Sequence, residues 1–433
     1  MSKTVNFEIN DKRIENAWAM FDWANSSYAL VITTAIFPTY FNGIIDDEFR
    51  FLGLKLTDTS LFSYSISVAY ILIALSLPIL SGIADYGGKR MAFMKFFTTI
   101  GAISCMSMFF FVDMDDLALG LATFMLAIIG FAGGQIFYNS FLPIIVSEDQ
   151  YDRVSAKGFT YGYIGSVILL IINLMMIQKP DWFGLSDGGL AARISFVMVG
   201  LWWIGFAQIP FARLPKDSKV PFTSDLLGKG FNEIKKVASQ VKNLVNTRRF
   251  LTSYFFYIAG AMTVIMLAST FAVDVLGFET AELIQVILIL QLIGAVGAFL
   301  FSKISGKYGN KISLIIILLI WTAVCVVAYF VTTKSQFYGV AITVGLVMGG
   351  VQSMSRSTYS KLIPEETEDT ASFFSFYDVL EKLAIVMGTF SFGFIDQMMG
   401  GMRNSILALI FYFIIGLIIL LTVKIDKNQA NPS

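Results

Sequence analysis

The sequence predicts an all-α membrane protein whose twelve transmembrane helices form two pseudo-symmetric six-helix bundles. Three observations lead there. Of 433 residues, 56% are hydrophobic and only 14% charged, whereas soluble domains carry about a quarter charged residues. Twelve separate apolar runs are each long enough to cross a bilayer. The second half of the chain also repeats features of the first.

The runs fall at about 17–43, 60–84, 91–112, 117–146, 157–177, 191–211, 250–275, 281–303, 312–332, 337–362, 371–397 and 403–424. The third and fourth are divided only by Asp113, Asp115 and Asp116, and the eleventh carries three charges. The first run follows a polar tail and lacks the short apolar core of a cleavable signal, so it is expected to remain as a span. With the N-terminus in the cytoplasm, 24 of the 31 lysines and arginines fall on the inside and six on the outside, which predicts that both termini are cytoplasmic.

The longest and most basic connection, Arg213 to Arg249, splits the spans six and six. Its Leu227, Phe231, Ile234, Ala238, Val241 and Val245 recur at helical spacing, with Lys235, Lys236 and Lys242 elsewhere on the wheel. That pattern predicts an amphipathic linker helix on the membrane surface. The domains are therefore an N-terminal bundle at 1–213, a cytoplasmic linker at 214–248 and a C-terminal bundle at 249–433.

Composition also narrows function. Thirty-one bases balance 31 acids, which gives no footprint for nucleic acid. The absence of histidine excludes a serine–histidine hydrolase, a histidine metal site and a histidine proton relay. Cys105 and Cys325 lie inside apolar runs, so neither a disulfide framework nor a zinc site is expected. No activated nucleophile, phosphate-binding glycine loop or soluble catalytic domain stands out, and neither enzyme activity nor a cofactor is expected.

Against that apolar background the polar residues inside spans carry the information. Asp22 lies nine residues beyond Arg13, about 13 Å into a hydrocarbon layer of about 30 Å. An ionised group at that depth marks a functional site, the alternative being a structural pair with a base on a neighbouring helix. Asn25 and Ser26 share its face. In the fourth span Gln135, Tyr138 and Asn139 fall on one face, as do Gln352 and Arg356 in the tenth. Such groups must be satisfied by protein, water or substrate; interhelical hydrogen bonds, or snorkelling by Arg356, are the alternatives. The eleventh span holds Asp378, Glu381 and Lys382, of which the first and last can pair at i, i+4. Three acids against two bases leave one carboxyl in excess, which predicts coupling to a proton or another ion through Asp22, Glu381 or Asp378.

The internal repetition is specific enough to align. Gln135 and Asn139 match Gln352 and Arg356 at an offset of 217 residues, and the loop SGIADYGGKR at 81–90 matches SKISGKYGNK at 302–311 at an offset of 221. Such halves mark a transporter made of two related bundles. Asp85, Gly88, Lys89 and Arg90 of the first loop resemble the signature between the second and third helices of the major facilitator superfamily. Ser81 stands at that signature's usual first glycine, Tyr86 at a basic position, and Gly306 replaces the acid in the second copy. FDWANSSYALVITTAIFPTYF, GGVQSMSRSTYSKLIP and FFSFYDVLEK resemble the "unknown major facilitator" branch, relatives of the autophagy-related vacuolar amino-acid effluxers.

The resemblance implies the major facilitator fold, with the first, fourth, seventh and tenth helices lining a central cavity, and a secondary transporter, with amino-acid efflux as the favoured case. The expected substrate-cavity residues are Asn25, Ser26, Gln135, Tyr138, Asn139, Gln352, Arg356 and Lys382. Asp85 would meet the N-terminus of the eleventh helix as a conformational gate, with Lys89 and Arg90 holding acids among Glu365, Glu366, Glu368 and Asp369. A lipid flippase and a transport-inactive receptor or scaffold are the other readings. A small-molecule substrate, a coupling ion and membrane lipid are the expected partners of a monomer, in the cytoplasmic membrane if the source is bacterial.

Overall fold

A computed structural model describes residues 7–44, 49–51, 54–56, 58–217, 226–399 and 402–425. The first helix begins at α1 (Lys12–Ser27), where the Asp11 carboxylate accepts the Arg13 amide at 2.7 Å, and continues without a break through a π-helical stretch (Tyr28–Ile36) into α2 (Phe37–Ile44). The wider winding is marked by the Phe37 amide donating to the Ile32 carbonyl and the Thr34 hydroxyl donating to the carbonyl of Ala29, five residues back. A short antiparallel hairpin, β1 (Phe49–Phe51) and β2 (Leu54–Leu56), follows. Nothing in the apolar patterning announced it.

The other apolar runs emerge as α3 (Asp58–Gly87), α4 (Arg90–Ser107), α5 (Leu117–Ser140) with the short α6 (Leu142–Ile145), α7 (Tyr151–Gln178) and α8 (Gly188–Arg213). After the linker helix α9 (Leu226–Asn243) come α10 (Val245–Leu276), α11 (Thr280–Tyr308), α12 (Asn310–Phe330), α13 (Lys334–Leu362), α14 (Thr370–Met399) and α15 (Met402–Leu421). Among the described residues, ten helices are long and apolar enough to cross a membrane. The run from Lys12 to Ile44 and α14 complete the twelve, and these two carry Asp22 and the Asp378, Glu381 and Lys382 group. The aspartates dividing the third and fourth spans act as caps, Asp113 accepting the Asp115 amide and Asp116 the Val112 amide. Thr333 and Gln336 form a capping box that starts α13.

The chain packs as two compact units, one of residues 1–139 and 161–232, the other of 140–160 and 233–433, so the boundary falls within α7 and within α9. In the first unit α8 packs on α1 and α4, and Phe37 stacks on Phe124 at 4.3 Å within a larger aromatic cluster. Helix α4 meets α5 where Gly101 lies against Gly130, leaving no room for a side chain on either. In the second unit α11 and α13 are pressed together in the same way, the backbone of Gly349 against the carbonyl of Gly294. One turn beyond Gly130, Gly134 has ordinary clearance from Phe21.

Linker helix α9 is tied down at Lys236, whose ammonium pairs with Asp369 at 2.8 Å and with Glu233. Those bonds hold its pKa above the ordinary lysine range, Asp369 contributing most. Of the expected apolar stripe, Ala238 and Val245 are exposed and the neighbouring Val237 is buried, while the side chains of Leu227 and Phe231 lie outside those described.

Adding one methyl at Gly349 is expected to destabilise the protein by about 1–3 kcal/mol, because the backbone of α11 cannot yield as a side chain would. Gly339, on the same helix with open space around it, should accept alanine with no loss. Thermal unfolding of the two purified variants checks the pair; equal melting temperatures would contradict the packing account.

Candidate functional site

In the first unit the site is built on α1. Asp22 is 1% exposed, and the Tyr138 hydroxyl from α5 donates to its Oδ2 at 2.7 Å. Tyr138 is fixed from both faces: its ring stacks on Trp18 at 4.4 Å and on Phe21 at 4.8 Å. Trp18 Nε1 donates to the Tyr138 carbonyl at 3.0 Å. Trp18 and Asp22 stand four residues apart, so one helical face supplies both the carboxylate and the indole that aims its partner. Asn25, a turn further on, is fully buried with neither amide atom hydrogen-bonded among the described residues. Gly162 of α7 packs against Ser26 and the Asp22 carbonyl, leaving the α1 backbone close to α7. Gln135 and Asn139 are half-buried on α5, and the Gln135 Oε1 has no hydrogen-bond partner among the described residues.

The second unit repeats the arrangement with different residues. The Tyr254 hydroxyl of α10 donates to Glu381 Oε2 of α14 at 2.6 Å. Tyr254 stacks on Tyr377 at 4.2 Å, and Tyr377 on Tyr359 at 5.0 Å. Lys382 reaches both Asp378 and Glu381 at 3.3 Å, so the ammonium is shared beyond the i, i+4 pair. Asp378 Oδ2 is buried with no hydrogen-bond partner among the described residues. Tyr254 is not among the candidates the sequence supplies. Its role as a carboxylate donor depends on α14 packing against α10, which no local signal announces.

Arg356 is 2% exposed and does not snorkel. Its Nε and Nη2 donate to Ser155 Oγ and the Ser155 carbonyl at 3.0 and 2.7 Å, and its guanidinium lies over Phe159 at 4.1 Å. The adjacent Ser355 shares a 2.7 Å hydrogen bond with Tyr257, and Gln352 is half-buried one turn earlier. One turn beyond, Lys361 pairs with buried Asp152 at 2.9 Å, inside a ring closed by Asn310, which donates to Asp152 at 2.7 Å and accepts from Lys361 at 2.7 Å. Ser305 adds a further donor to Asp152 at 2.7 Å. Asp152, Ser155, Asn310 and Tyr254 were missed from sequence. The i, i+3 spacing of Asp152 and Ser155 was the available signal for the first two.

Asp85 pairs with Arg90 at 2.8 Å, the guanidinium using both Nε and Nη2, and Asp369 is engaged by Lys236. Asp217, just past α8, accepts the amides of Met91 and Ala92 at 2.8 Å each and so caps α4 behind the half-buried Lys89. Among the described residues no group of three or more acids or cysteines could hold a metal ion.

A family model described as "Vacuole effluxer Atg22 like" matches residues 10–432. An uncharacterized MFS-type transporter of Bacillus subtilis (strain 168), YxiO, is 30% identical over 416 residues, covering 94% of each chain. Autophagy-related protein 22-1 of Penicillium rubens is 25% identical over 474 residues, covering 88% of this chain and 78% of its own. Among solved structures, the human organic anion transporter MFSD10 superposes with a TM-score of 0.73 over 95% of this chain and 100% of its own at 12% identity, a likeness of fold alone.

Removing the Lys361 ammonium as Lys361→Met leaves the Asp152 carboxylate buried with neutral donors only, a change expected to cost about 3–5 kcal/mol. The Asp152→Asn/Lys361→Met double variant should recover most of that loss, since no uncompensated charge remains. Thermal unfolding reads both, and a single variant as stable as the parent would remove the pair from the account.

Proposed function

We propose that this chain, which belongs to the Atg22-like vacuole effluxer family and is a multi-pass membrane transporter with the major facilitator fold, moves a small solute by alternating access coupled to protons. The α14 cluster carries the reading. Asp378 and Glu381 share the single ammonium of Lys382 at 3.3 Å, so the group holds one negative charge in excess. Burying that charge is costly, and binding one proton removes the cost. Asp22, met by Tyr138 in the first unit, is the second proton candidate. In each unit a stacked tyrosine holds the carboxylate in one place whether or not a proton is bound, a property that supports a site loaded and unloaded in every cycle.

Amino-acid efflux is the specific case we favour: the matched family model is described as a vacuole effluxer, which supports the direction, and the sequence resemblance implies the amino acid. Asn25, Ser26, Gln135, Asn139, Gln352 and Arg356 are the side chains we assign to substrate, Asn25 and Gln135 because they bring buried amide atoms with no hydrogen-bond partner among the described residues. Asp85, Lys89 and Arg90 are assigned to the conformational gate, with Asp217 as the brace of that loop. Both termini are placed in the cytoplasm by the distribution of lysine and arginine. The likeness to a Bacillus protein over 94% of each chain favours a bacterial cytoplasmic membrane.

In proteoliposomes, Asp22→Asn and Glu381→Gln are expected to abolish proton-driven transport and flatten its pH dependence. Tyr138→Phe and Tyr254→Phe should slow it by about tenfold or more, the equivalent of one hydrogen bond to a charged group. Unchanged rate and pH profile in both carboxyl variants would overturn proton coupling at these sites. A thermal-shift screen tests the substrate class: an amino acid at a hundred times its Kd should stabilise the protein by about 2.7 kcal/mol. Stabilisation by nucleosides or peptides alone would redirect the substrate assignment.

A further inference from the structure

Three helix ends meet at one corner of the second unit: α10 and α12 begin there and α15 stops there. We propose that this corner binds the headgroup of an anionic phospholipid, independently of what the protein transports.

The basic side chains at the corner are fixed. Arg249 Nη1 donates to the Thr422 carbonyl at 3.0 Å, and Lys311 Nζ donates to the carbonyls of Leu421 and Val423 at 2.7 and 2.8 Å. Arg248 Nη1 donates to the Lys242 carbonyl at 2.9 Å. Capping the end of α15 explains why two of these cations lie where they do, and charge decides whether capping exhausts them. A helix C-terminus presents only about half a negative charge, against the three full positive charges of Arg248, Arg249 and Lys311. Among the described residues, none of these three helix ends carries an acid within its last or first turn. Lys424 is set aside because it lines a cavity that also holds Glu148 and Glu365. The residual charge therefore calls for an anion from outside the unit, and Arg248 and Arg249 are both exposed to receive one.

The surroundings point to a lipid as the bearer of that anion. From the cationic corner an exposed apolar stripe runs along α15 through Leu421, Ile418, Ile414 and Phe411, with Ile312 exposed at the start of α12. Residues three or four apart stay on one helix face, so the stripe is a continuous track for an acyl chain whose phosphate would end among the guanidinium groups. Arginine suits that phosphate because its planar fork offers paired donors, and Arg249 spends only one of its five N–H groups on Thr422 in the bonds described.

The test uses the full-length protein reconstituted into mixed phosphatidylcholine and phosphatidylglycerol, with retained lipid counted by native mass spectrometry. Wild type should retain phosphatidylglycerol over phosphatidylcholine, and each charge removed in Arg248→Gln and Arg249→Gln should weaken that preference by about fivefold. Arg249→Lys should keep most of it. Raising the ionic strength on the wild type, which needs no variant to fold, should erode the preference as well. No preference in the wild type, a preference indifferent to salt, or a double glutamine variant that retains phosphatidylglycerol like the parent would each overturn the assignment.

Discussion

A carboxylate largely withdrawn from water must receive its donors from the protein, and the interior of this chain is arranged around meeting that demand. Asp22 is met by Tyr138, Glu381 by Tyr254 and Lys382, and Asp152 by Lys361, Asn310 and Ser305. Apart from Lys382, which shares α14 with Glu381, each donor comes from a helix other than the one bearing the acid. The placement of α1 against α5 and of α10 against α14 is thereby specified chemically as well as sterically.

The two units answer one requirement with unlike parts. In the first, the acid lies on the opening helix and its tyrosine is clamped between a tryptophan and a phenylalanine. In the second, the tyrosine lies on the opening helix, the acid comes from α14, and the clamp is a stack of tyrosines. A repeat that keeps its backbone while exchanging donor and acceptor between helices leaves little trace in aligned sequence. That explains why the correspondence of Gln135 with Gln352 was visible and that of Tyr138 with Tyr254 was not.

Close helix contact supplies the rigidity these pairs need. Glycine against glycine at Gly101 and Gly130, and glycine against carbonyl at Gly349 and Gly294, set backbones nearer than any side chain allows. The π-helical stretch Tyr28–Ile36 works the other way, loosening the winding of the first helix directly after Asp22, Asn25 and Ser26.

The sequence by itself determined the class of fold, the twelve helical runs with their approximate ends, and which polar residues lie inside those apolar runs. Hydropathy reports the solvent a segment lives in, and the absence of water from the bilayer core leaves the helix as the only open choice for its backbone. Asp22, Tyr138, Glu381, Asp378 and Lys382 were legible for that reason, as was the i, i+4 pairing of Asp378 with Lys382. Only the tertiary structure decided that Lys382 also serves Glu381, that Arg356 is held by Ser155 and Phe159, that Arg90 turns back onto Asp85, and that Asp217 caps α4. Those partners lie on other helices or across loops, at distances set by packing, and periodicity along one helix carries no information about which face of another it will meet.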